Sequence, residues 1–178
     1  DINANGADVD VKTEVHKPSG THEAISRVTF NSSSKTNASN INAIAVTKLE
    51  EMGNVSISES FIPGVDQVID LVTSKVTPIT EVIIEKDAIL SAINDVNLMA
   101  ITDMTLSSST IAPILALNYT QIDSKTQAIV KSEANISAKN LEVDALTNLN
   151  LNTSTKVTAM LNQGFNAAWE KVFGSSND

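Results

Sequence analysis

The stretch Val9-Asp10-Val11-Lys12-Thr13-Glu14-Val15 carries its apolar residues on every second position, with charges between them. That period puts one face of an extended chain toward a core and the other toward water, so it predicts a strand. Lys17-Pro18-Ser19-Gly20-Thr21 supplies turn chemistry, and Ala24-Ile25-Ser26-Arg27-Val28-Thr29-Phe30 returns as a second extended run. A hairpin-like N-terminal arm is the simplest arrangement. Residues 31–40, rich in Ser and Asn and without apolar periodicity, read as an exposed polar hinge that completes a first region over 1–40.

From Ile41 to about residue 155 a body of short apolar runs follows, punctuated by Asn, Asp and Ser. In the run from Val96 to Leu106, the residues Val96, Leu98, Ala100, Met104 and Leu106 fall on one side, and only Thr102 interrupts them. Val55-Ser56-Ile57, Asn135-Ile136-Ser137, Leu141-Glu142-Val143 and Leu149-Asn150-Leu151 are comparable fragments, unevenly spaced. Strands of that length suit the turns of a solenoid with a degenerate repeat.

A second period competes with the first. Between Pro63 and Val96, residues such as Val65, Val68, Ile69, Val72, Val76, Ile79, Val82 and Ile83 follow a helical i, i+3, i+4 spacing, broken at Pro78. This leaves a mainly α alternative with a coiled-coil-like seam over 65–96. The six glycines stand at 6, 20, 53, 64, 164 and 174, so any tight corner between 65 and 163 would have to be made by other residues, Asn and Asp first. Residues 156–178 form a third region, an amphipathic helix with Val157, Leu161, Phe165, Trp169 and Val172 on one face and a polar tail.

Composition narrows the function. Twelve cations, one of them an arginine, face 21 acidic residues for a net charge of −9, which argues against nucleic acid and anionic lipid as partners. With no cysteine, thiolate chemistry and disulfides are excluded. No run of 18 apolar residues offers a membrane span. Ser, Thr and Asn total 55 and Val and Ile total 34 of 178 residues, a pairing suited to half-buried strands. The start at Asp1 rather than Met fits either a processed chain or a fragment, and the composition, close to that of secreted fibres and surface proteins, leads to the expectation of an extracellular or cell-surface protein with a processed N-terminus.

Candidate chemistry is sparse. His16 and His22, with Glu14 and Glu23 nearby, match no metal-site spacing, and the acidic groups around Glu50, Asp66, Glu81 and Asp95 lack the glycines of calcium loops. No nucleophile elbow or phosphate-binding loop is present, so neither a catalytic site nor a cofactor is expected. Six Asn-x-Ser/Thr triplets, beginning at Asn31, are accounted for by composition.

Segments such as Asp95-Val96-Asn97-Leu98-Met99-Ala100-Ile101 and Ala134-Asn135-Ile136-Ser137-Ala138-Lys139-Asn140-Leu141-Glu142-Val143 make residues 96–160 resemble the β-helical shafts of filamentous-haemagglutinin-type adhesins and of phage or secretion-system spikes. The resemblance implies an elongated, non-catalytic extracellular element and assigns no functional residues. The expected fold is therefore mainly β, a β-solenoid or β-rich fibre subunit with a C-terminal helix. The expected function is a structural or adhesive subunit that forms a homo-oligomer or filament. Val9, Val11, Val15, Val28 and Phe30 of the arm, with Phe165 and Trp169, are the candidate self-association residues; a helical oligomerisation protein is the alternative.

Overall fold

The computed structural model describes residues 1–4, 6–17, 23–52, 55–59, 69–112 and 115–157. Among them the chain is mainly β, with no helix. In chain order the strands are β1 (Ile2–Asn3), β2 (Val9–Lys17), β3 (Glu23–Phe30), β4 (Lys35–Ala38), β5 (Ile41–Met52), β6 (Val55–Glu59), β7 (Ile69–Ile84), β8 (Ile89–Ala92), β9 (Asp95–Ala112), β10 (Leu115–Ile122), β11 (Lys125–Val130), β12 (Asn135–Ser137) and β13 (Asn140–Val157).

Apart from β6 and β10, which both pair with β7, the strands are dealt to three sheets in rotation. β1, β4, β8 and β12 are neighbours in the first, β2, β5, β9 and β13 in the second, and β3, β7 and β11 in the third. Each turn of chain adds a strand to the first sheet, then to the second, then to the third. The pairings β1–β4, β4–β8, β8–β12, β2–β5, β3–β7 and β7–β11 are parallel. Parallel neighbours need a long return path, and the other two sheets provide it.

Alternation positions the core. In β3, Ala24, Ser26, Val28 and Phe30 are buried while Glu23, Ile25, Arg27 and Thr29 face out. The central cluster adds Ile41, Ala43 and Ala45 from β5, Val82 and Ile84 from β7, Leu90 from β8, and Val96, Leu98 and Ala100 from β9.

The corner from the third sheet back to the first recurs. Asn31–Ser34, Glu85–Ala88 and Lys131–Ala134 are each closed by a hydrogen bond from the fourth N–H to the first carbonyl. The third residues, Ser33, Asp87 and Glu133, have φ of 62°, 60° and 63°. Positive φ at that position alone is the mark of a type II turn, where glycine is the usual occupant. Glycine is absent, and three different side chains carry the strain. Glu133→Gly is therefore expected to raise stability: relief of about 1–2 kcal/mol outweighs the roughly 0.5–1 kcal/mol that glycine's extra freedom takes back. The exposed Lys86–Glu133 ion pair that is lost adds little. A lower melting temperature for the variant would contradict this account.

Several expectations are corrected. β2 and β3 form no hairpin; each lies in a different sheet and pairs in parallel with the equivalent strand one turn on. The alternation of β2 and β3 is the same in both arrangements, so it carries no information about partner or direction. The polar stretch 31–40 is a turn followed by β4, whose Thr36 and Ala38 are buried. The helical seam is strand over residues 69–84, 89–92 and 95–96. Its helical spacing arises because buried Ser74 and Thr80 interrupt the inward apolar row of β7, while Leu71, Ile79 and Ile83 on the other face are half-buried. Pro78 sits beside the gap between β10 and β11, where no ladder bond is needed from it. The C-terminal helix, with Phe165 and Trp169, lies outside the described residues except for Lys156 and Val157, which end β13.

The chain's contacts gather into two units. One comprises Asp1–Glu51, Lys75–Thr105 and Ile122–Leu151 and contains the three-sheet winding; the other comprises Met52–Ser74, Leu106–Gln121 and Asn152–Asp178. In the second, β6 pairs antiparallel with the start of β7, from Val55↔Thr73 to Glu59↔Ile69. The buried Asp70 carboxylate there accepts from Thr110 Oγ1 at 2.7 Å and from the Ile111 N–H at 3.3 Å.

Candidate functional site

Parallel, in-register strands stack equivalent residues into columns, and the columns define the surfaces of the first unit. On the second sheet the Asn40 amide donates to Asp8 Oδ1 at 2.7 Å, the Asp95 N–H donates to Asn40 Oδ1 at 3.3 Å, and the Asn140 amide donates to Asp95 Oδ1 at 2.7 Å. Asp and Asn alternate up this column. Donor therefore meets acceptor at each step, without the repulsion of stacked carboxylates. Asp10, Asn42 and Asn97 form a second ladder, and Asn148 donates to Asp103 at 2.6 Å in another.

A different column runs inside. Thr47, Thr80, Thr102, Thr126 and Thr147 are linked hydroxyl to hydroxyl at 2.7, 2.6, 2.7 and 2.8 Å, alternating between the second and third sheets. One direction, from Thr147 down to Thr47, lets each intermediate hydroxyl donate one bond and accept another. Thr102, the polar residue that interrupts the inward row of β9 between Val96 and Leu106, is the middle of this chain.

The third sheet carries a charged column. Glu81 is 2% exposed, covered by Arg27 one turn below and by Lys125 and Gln127 one turn above. Arg27 Nε and Lys125 Nζ each lie 2.6 Å from its carboxylate. Burial pushes the Glu81 pKa up, but the bonds and charges of Lys125 and Arg27 outweigh it and hold the carboxyl below the ordinary 4.5. A depressed carboxylate contributes stability above its unfolded value and loses it as pH falls through the folded one. Stability should thus change little from Glu81 between neutrality and about pH 5 and fall below pH 4.5. Melting temperatures across that range should fall less steeply for Glu81→Gln; an unchanged acid slope would sink the assignment. Glu14, between Lys12 and Lys48, is lowered to about 2 by its bonds to them and titrates in the same direction.

Among the described residues the winding ends at an open edge. Side-chain bonds between residues 45 apart fix β13 above β9, so Leu141 stands over Val96, Val143 over Leu98 and Leu149 over Met104. The β9 members are 0%, 0% and 3% exposed, whereas Leu141, Val143 and Leu149 are 53%, 41% and 49% exposed. These are core-type side chains at the end of a stack, beside an unpaired strand edge among the described residues. No known protein family, curated protein or solved structure matches the chain.

The predicted self-association residues are placed as follows. Val9, Val28 and Phe30 belong to the chain's own core cluster and Val11 packs against it; Val15 is half-buried on β2. Phe165 and Trp169 fall outside the described residues. His16 Nε2 lies 3.7 Å from Glu50 Oε1, both exposed, and His22 is outside the described residues. Among the described residues no three metal-ligating side chains come together. The open edge was not singled out from sequence, although one signal marks its register: Ala4, Ala38, Ala92 and Ala138 occupy the same place in successive turns.

Proposed function

We propose that the three-sheeted winding is a β-solenoid and that the chain is a non-catalytic structural subunit of an extracellular fibre, surface appendage or adhesin, assembling with identical copies through strand edges. The fourth turn carries the reading. Its exposed leucines, on a strand edge unpaired among the described residues, have the same side-chain pattern that is buried one turn below, so covering them with another strand repeats a contact the chain already makes. The use of the charged side chains supports it as well. Glu81, Glu85 and Glu14 are each paired with cations along the sheets rather than gathered around a cavity.

Sedimentation and negative-stain images test this directly. The unsubstituted chain should form assemblies, and Leu141→Asp/Val143→Asp should reduce them to monomers with the β circular-dichroism signal retained. A monodisperse monomer of the unsubstituted chain at high concentration refutes the proposal.

A further inference from the structure

We infer that copies of this chain join head to tail, with β1 and β2 of one copy pairing in parallel onto β12 and β13 of the next, in the register that continues each column. This rests on the self-association proposed above and specifies its interface. The Asp8–Asn40–Asp95–Asn140 column ends on Asn140 and begins on Asp8. An incoming Asp8 above Asn140 meets the partner that Asp95 meets on Asn40, and the alternation runs on unbroken.

Inward columns continue in the same way. Ile2, Thr36, Leu90 and Ile136 share one register, so an incoming Ile2, itself 47% exposed, lands on Ile136. Val9, paired with Ile41, lands on Leu141, and Val11, paired with Ala43, lands on Val143. The incoming first turn has room for such contacts. A cavity of about 250 Å³ lies among β1, β2 and β3, walled in part by Ile2, Val11, Val28 and Phe30.

Charge sets the polarity. Outward positions of the β13 edge include Glu142 and Asp144, without a cation between Asn140 and Asn150. Tail-to-tail pairing sets these acids against their own copies. Head-to-tail pairing brings Lys12 over Asp144, at the cost of one like-charge meeting, Asp10 over Glu142. An open, heterologous contact of this kind repeats without closing.

Because the chain has no cysteine, disulfide trapping reads the register cleanly. Adjacent strands lie about 4.8 Å apart, within disulfide reach. Asp8→Cys/Asn140→Cys, oxidised, should give a ladder of covalent oligomers on a non-reducing gel, and the two single variants mixed should give dimers only. Asp144→Cys/Lys12→Cys should repeat the ladder, and Glu142→Gln should shift assembly to lower concentration. Dimers from Asn140→Cys alone, or assemblies that never yield the 8–140 disulfide, overturn the register while leaving self-association standing. A chain that assembles only once residues 158–178 are removed assigns the edge to that segment and also overturns the inference. Failure of the unsubstituted chain to assemble removes both.

Discussion

Truncating Leu98 to alanine should lower the free energy of unfolding by about 2–5 kcal/mol, among the largest effects available to a single conservative change in this chain. Leu98 is fully buried in β9 and belongs to the central cluster. One turn below it stands Ala43, and one turn above it Val143, so the leucine fills space that its smaller column neighbours leave. Backbone ladders on both sides hold the strand spacing. The walls therefore collapse only partly, and most of the lost volume persists as a cavity. Val143→Ala, in the same column but 41% exposed, is the control and should cost well under the Leu98 value. Urea unfolding of the two variants side by side decides the matter; equal costs would mean that the fourth turn is as well covered as the third.

Thr102→Val should destabilise by about 1–3 kcal/mol although it keeps the shape of the side chain. The valine offers no hydrogen bond, and Thr80 and Thr126, at 2.6 and 2.7 Å from the Thr102 hydroxyl, each lose a partner. Thr80 is fully buried, which leaves it without water to turn to. The effect should be strongly non-additive. Replacing Thr47, Thr80 and Thr102 together by valine removes the orphaned partners and should cost less than the three single losses summed. Additive costs, measured by a mutant cycle in urea, would mean that the hydroxyls act independently. The triple variant should also fold less uniquely. Alternation alone permits a strand to slip by two residues, and the threonine column penalises that slip by setting hydroxyls against Ala45 or Leu49.

The strands were legible in sequence where one face is apolar throughout. Val96 to Leu106 announces β9, and Ala24 to Phe30 announces β3. Partners were not legible, because a strand that alternates fits an antiparallel hairpin and a parallel stack equally well. β7 was obscured by inward Ser74 and Thr80, whose burial depends on hydroxyls from other turns that lie 46 and 33 residues away. Within the glycine-free stretch the sequence points to Asn or Asp at the corners; Asp87 meets that expectation, whereas Glu133, and Ser33 before the stretch, fill the same corner with residues that carry no such preference. The open edge was hidden for a different reason. Leu141 and Val143 look like any core pair until the neighbour that would cover them is sought.

The recurring left-handed corner has a consequence for how such a chain changes length. From Ser33 to Ile41, from Asp87 to Val96 and from Glu133 to Leu141 the path is nearly constant, yet Lys35 pairs with Ile89 and Ile89 with Asn135, intervals of 54 and 46 residues. The surplus is taken up between the second and third sheets. The corner works as an index mark: chain can be inserted or deleted elsewhere in a turn, and the next strand still starts in phase. Periodicity sought at any single spacing passes over a repeat of this kind, whereas aligning the tetrapeptides Asn31–Ser34, Glu85–Ala88 and Lys131–Ala134 brings it into view.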